Sequence, residues 1–98
     1  MAKGYQLSRE KDGTIRLSGQ ISLPQVPLFL KEMERIFREE NQASFKIDLT
    51  DLEGVDSAGA LALAQLEETG KAILKGMTEE VRRVFELIDR DTIHQPPL

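Results

Sequence analysis

Hydrophobic and polar positions alternate at the start of the chain and then change period. Polar residues separate Tyr5 from Leu7, and Ile15 and Leu17 repeat that spacing after "KDGT". A period of two over short runs predicts two β-strands with a reversal between them. Asp12-Gly13 suits the reversal because both residues tolerate positive φ, and Gly19 is expected to end the second strand. "SLPQVPLFLKEMERIFREEN" follows with a helical period. Val26, Leu30, Met33 and Phe37 share one face, and Phe29 and Ile36 widen that stripe. Lys31, Glu32, Arg35, Arg38 and Glu39 fall opposite and read as a solvated surface. Pro24 and Pro27 lie before or within the first turn, where a missing N–H costs least.

Period two returns at Phe45, Ile47 and Leu49, a third strand, and Leu52 and Val55 prolong the apolar signal past a "TD" corner. Residues 57–69 read as a helix rich in alanine and leucine and closed by Gly70. Apolar residues nearly encircle its first two turns, which predicts burial. "KAILKGM" reads as a short fourth strand. Thr78 then caps a third helix bearing Val81, Val84, Phe85 and Ile88, with Glu79 and Glu80 near its positive N-terminus. The order β-β-α-β-α-β-α implies right-handed crossovers, partly parallel pairing and helices over one face of the sheet. From residue 89, "DRDTIHQPPL" loses its period and looks like the start of a linker.

Composition narrows the class. Ninety-eight residues, 40% of them hydrophobic, suit one core and leave no room for a second. The absence of cysteine excludes disulfides, thiolate metal ligands and thiol nucleophiles, and fits a reducing compartment. Thirteen basic residues are interleaved with seventeen acidic ones, for a net charge of −4, so no nucleic-acid footprint is expected. No apolar run approaches the roughly 18–20 residues that span a bilayer, and "MAKGYQLSRE" lacks the apolar core of a signal peptide. The expected location is cytoplasmic.

One stretch raises a chemical question. In "IDLTDLEGVDSAGALALA", Asp56 and Ser57 stand where a strand-like run gives way to a helix. A nucleophile elbow needs glycine two residues before the serine, and Val55 is there instead. A triad needs a held histidine base, and the one histidine, His94, falls in the irregular tail. The glycines lack phosphate-loop spacing, and the carboxylates lack the company of a zinc site. No catalytic residue, metal ligand or cofactor site is expected. Two uses remain for Ser57. It is the N-cap of the helix, with Asp56 a helper at the same positive end, or it is an exposed point for a partner or a kinase. Small residues at a helix start also let another backbone approach, so Gly59 serves close packing within the domain or contact outside it.

"FKIDLTDLEGVDSAGALAL" resembles the signature of STAS domains: a strand, "DL", a short connection, then Asp-Ser/Thr-x-Gly opening a helix. "IRLSGQIS" is similar to the family's second strand and "VRRVFELI" to its penultimate helix, so the resemblance runs from about Tyr5 to Ile88. It implies the α/β STAS fold, with a sheet of about four mixed strands and helices on one face. The STAS domain would occupy residues 1–90, and 91–98 would begin a linker or tail. The likeness is greatest to the small STAS domain of Mla-type ABC transporters of phospholipid, alone or at the N-terminus of a MlaE-type permease. That branch implies a regulatory domain at the inner face of the cytoplasmic membrane, docked on the ATPase subunit. Any link to the membrane would run through a fused or associated permease. Ser57, Asp56, Ala58 and Gly59 would carry the contact, with Ala60, Leu61 and Ala64 contributing according to exposure. The alternative branch is the anti-sigma factor antagonists, in which an anti-sigma factor kinase would phosphorylate Ser57. A third, the STAS domain of an anion transporter, usually follows its membrane part and is longer.

Overall fold

The structure, a computed structural model, describes residues 4–42 and 44–93. Of the expected tail, His94 and the residues after it lie outside them. The strands are β1 (Tyr5–Arg9), β2 (Ile15–Ile21), β3 (Phe45–Asp48), β4 (Leu52–Val55) and β5 (Ala72–Lys75); the helices are α1 (Val26–Glu40), α2 (Ser57–Glu68) and α3 (Glu79–Ile93). A 3-10 turn, Leu23–Gln25, leads into α1. The sheet runs β1-β2-β3-β5, and β4 joins it beside β2. β1 and β2 are antiparallel; β2 is parallel to β3 and β4, and β3 to β5. The expected mixed α/β architecture is therefore present, with residues 45–48 paired on both sides.

The β1–β2 reversal forms as expected. Gly13 takes φ +90, and the Thr14 N–H donates to Asp12 Oδ1 at 2.9 Å. Gly19, expected to end β2, instead lies inside it. It adopts φ +90 at a register shift, and the strand continues to Ile21. A Cβ there would stand 2.4 Å from the Gly4 carbonyl oxygen, so only glycine fits the kink.

That kink accounts for the fifth strand. Before it, Ile15 and Arg16 pair with β3; after it, Gln20 and Ile21 pair with Gly54 and Val55 of β4. Four strands are expected from the pattern, because Leu52 and Val55 read as a continuation of the third. The chain turns between them. Asp48 Oδ1 accepts the Thr50 N–H at 2.9 Å and its hydroxyl at 2.6 Å, and the Leu52 N–H donates to the Leu49 carbonyl. Such a side-chain-held corner lets one apolar run supply two strands.

The core lies between the sheet and the helices. Ile15, Leu17, Ile21, Ile47, Leu49 and Leu52 meet Phe29, Met33, Leu63, Val81 and Phe85 there. Burial alternates along the strands, so Arg16, Lys46 and Ile73 emerge on the face away from that core. Of the charged face expected on α1, Lys31, Arg35, Arg38 and Glu39 are exposed, but Glu32 is half-buried and accepts a hydrogen bond from the Tyr5 hydroxyl. Burial, reinforced by that bond, raises the Tyr5 hydroxyl pKa above the usual tyrosine range. α3 opens as expected, with the Val81 N–H donating to Thr78 Oγ1. It runs to Ile93, past the loss of apolar period at residue 89, because no proline or glycine interrupts it there.

Candidate functional site

β4 ends at Val55, and the chain turns directly into α2. The residue that holds this corner is Asp56. Its backbone is extended (φ −97, ψ −175), and its carboxylate caps the helix, with Oδ1 accepting the Gly59 N–H at 2.8 Å. The capping role expected of Ser57 therefore belongs to its neighbour. The reason is geometric: a cap must lie outside the helix with extended backbone, and Ser57 is already the first helical residue. The second carboxylate oxygen of Asp56 accepts the Leu23 N–H at 2.9 Å, from a residue 33 positions earlier. One side chain thus ties the end of β2 and the 3-10 turn to the start of α2. The Gly59 N–H, and then the Leu23 N–H, hold the Asp56 carboxyl below the usual carboxylate range.

The expected contact residues divide between two sides of α2. Ser57 and Asp56 are exposed, and Ala58 and Ala64 are half-buried. Gly59 and Ala60 are buried. A Cβ at Gly59 would stand 2.1 Å from the Ile21 carbonyl oxygen and 2.7 Å from Val55 Cγ2, so here the glycine permits close packing on the ends of β2 and β4. Leu61, expected inside a buried turn, is 46% exposed. Ala62, Leu63 and Leu66 complete the buried side. Ser57, Leu61, Ala64, Gln65 and Glu68 recur at spacings of three and four, so they form one outward stripe.

Leu23 was missed by the sequence pattern. It is 65% exposed and bonded through its N–H to Asp56, so it stands beside the start of α2. No local signal marks it, because the whole of α1, β3 and β4 lies between the two bonded residues. An open groove of about 600 Å³ lies elsewhere, between the end of α1 and Lys71, and Glu34, Phe37, Arg38, Asn41 and Gln42 complete its lining. Among the described residues no cluster of His, Cys, Asp or Glu is placed to hold a metal ion. No helix among them is long and apolar enough to cross a membrane.

A five-stranded mixed sheet, a helical layer on one face and an Asp-Ser-x-Gly corner opening the middle helix define a STAS-type α/β domain. A family model described as "Mlab, STAS domain" matches residues 6–95, and the chain belongs to that family. No curated protein matches it. STAS domains serve generally in regulation and protein interaction, and are generally non-catalytic.

Proposed function

We propose that this is a non-enzymatic regulatory domain of an Mla-type ABC transporter of phospholipid, and that it docks on the ATPase subunit through the outward stripe of α2. The observation that carries the reading is the exposed start of α2, where Ser57 and Leu61 face outward on a helix whose other side is packed. The family description, which is Mla-type, supports the choice of transporter. The domain would sit at the cytoplasmic face of the membrane and reach it through an associated or fused permease.

The alternative, an anti-sigma factor antagonist, draws on the same stripe. Asp56 caps the helix in place of Ser57, which leaves the serine hydroxyl at the surface where a kinase could reach it. The two readings differ in partner, and titration with the ATPase separates them. Calorimetry with the ATPase subunit of the same organism's Mla-type transporter should show a 1:1 complex. Leu61→Glu should weaken it by at least ~10-fold, since a desolvated, unpaired charge is costly. Its melting temperature should match the parent's, because Leu61 is largely outside the core. Failure of the parent to bind that ATPase would remove the transporter reading.

A further inference from the structure

The outward side of α1 carries a row of cations that docking through α2 leaves unused. Lys31, Arg35 and Arg38 recur at spacings of four and three, so they share one side of the helix. Leu28 continues that side toward the helix start. All four are exposed, Leu28 by 44%, and with Glu32 they line an open groove of about 280 Å³. Arg38 also lines the groove at the end of α1, where Lys71 joins it from the residue before β5. The Lys71 ammonium lies 5.9 Å from the centre of the Phe37 ring. The row therefore holds four cations and ends in a leucine.

The neighbouring acids do not cancel it. Among those of α1, Glu40 is held by Arg9 through two bonds of 2.9 Å. Glu32 is half-buried and accepts the Tyr5 hydroxyl. Glu34 and Glu39 remain, one on each flank of the row, and Glu67 and Glu68 close α2 ahead of Lys71. Among the described residues no ion pair reaches Lys31, Arg35, Arg38 or Lys71.

We infer that this row rests on the anionic headgroups of a lipid bilayer. Cations strung along one helix with an exposed leucine at the end suit a membrane interface, where the leucine enters the headgroup boundary and the charges stay among the phosphates. Single-stranded nucleic acid fits less well, because bases need a ring to stack on. Phe37, the ring at the groove, is half-buried against Phe45 and covered by Lys71. The net charge of −4 repels an anionic surface at long range. Salt screens that repulsion beyond about 8 Å at physiological strength, so the near face decides. Each cation beside an anionic leaflet strengthens adsorption by roughly five-fold. A single signal of this size orients a domain against a bilayer and does not anchor it. The contact makes no use of the ATPase, so it stands or falls apart from the docking reading.

Co-sedimentation of the whole chain with vesicles tests the inference. Adsorption to phosphatidylcholine containing roughly one-third phosphatidylglycerol should exceed that to phosphatidylcholine alone by at least ~10-fold, and should fall as salt rises. Arg35→Gln with Arg38→Gln should remove most of that preference, and Leu28→Ser should weaken adsorption by about three-fold. Lys46→Gln with Lys75→Gln makes the same change of charge on the far face of the sheet, and should leave adsorption near the parent's. All five substituted residues are exposed, so melting temperatures should stay close to the parent's. Equal adsorption to the two vesicles, insensitivity to salt, parent-like adsorption by the Arg35 and Arg38 pair or by Leu28→Ser, or an equal loss in the Lys46 and Lys75 pair would each overturn the inference. So would tighter binding to a single-stranded RNA oligomer than to the anionic vesicles.

Discussion

Asp56 and Ser57 are adjacent, yet they answer to different constraints. Asp56 spends both carboxylate oxygens on backbone N–H groups, whereas Ser57 stands at the first helical position with its side exposed. Asp56→Ala should therefore lower stability by about 1–2 kcal/mol, through the lost cap and the released turn, while Ser57→Ala should stay within about 0.5 kcal/mol of the parent. Urea titrations of the three proteins would check the ranking, and equal losses would refute it. The carboxyl of Asp56 is held below its unfolded value, so its contribution is present above the unfolded pKa of about 3.9 and is lost as pH falls through the folded one. The stability gap between the parent and Asp56→Asn should therefore narrow on acidification below about pH 4. Asp12 and Asp48, shifted in the same direction by bonds from Thr14 and Thr50, titrate in both proteins and cancel from the difference.

At the scale of elements, the boundaries of α2 and the presence of a helix from Val26 were legible because both rest on local periodicity and end signals. Val26–Glu40 carries its stripe, and Gly70 takes the left-handed φ of +80 just past the Thr69 C-cap. The division of one apolar run into β3 and β4 was not legible. It depends on the Asp48–Thr50 turn and on the bulge at Gly19, which lies in a different strand. The candidate site shows the same limit. Its Asp-Ser-x-Gly core stood out in the sequence, but the choice of capping residue depends on where the helix begins to within one residue. Leu23 depends on a bond across 33 positions. Gly59 makes the element-level claim testable. Adding a methyl group there drives it into the Ile21 carbonyl, so Gly59→Ala should destabilise by roughly 2–3 kcal/mol or more, as overpacking does. Thermal melts of Gly59→Ala beside Ala58→Gly would check this; a parent-like melt for Gly59→Ala would show that α2 can lift from the strand ends.

Over the whole molecule, hydrogen bonding is concentrated in the interior strands. β3 is paired on both sides, as is β2, whereas β1 and β5 each have one neighbour in the sheet order. Native-state hydrogen exchange should be slowest at the amides of Lys46, Ile47 and Asp48 and faster along β1, whose outer side is open. Faster exchange in β3 than in β1 would contradict the sheet order. The helical layer covers one face only, and the other carries Arg16, Lys46 and Lys75, with Ile73 the one large apolar side chain exposed on it among the described residues. Scattered charge of that kind keeps an open sheet from stacking on another.

The sheet order also sets a schedule for a chain leaving the ribosome. β1 and β2 are neighbours in sequence and can form a hairpin early, but β2 gains β3 only after all of α1 has emerged. β3 in turn stays half-paired until β5, at Ala72–Lys75, follows it out of the exit tunnel. Closure over such sequence separations is slow relative to local pairing. During synthesis, then, the strand that becomes the centre of the finished sheet is for a time its exposed border, with Phe45 and Ile47 awaiting cover. That interval is when the nascent chain is most open to capture by chaperones or by other nascent chains.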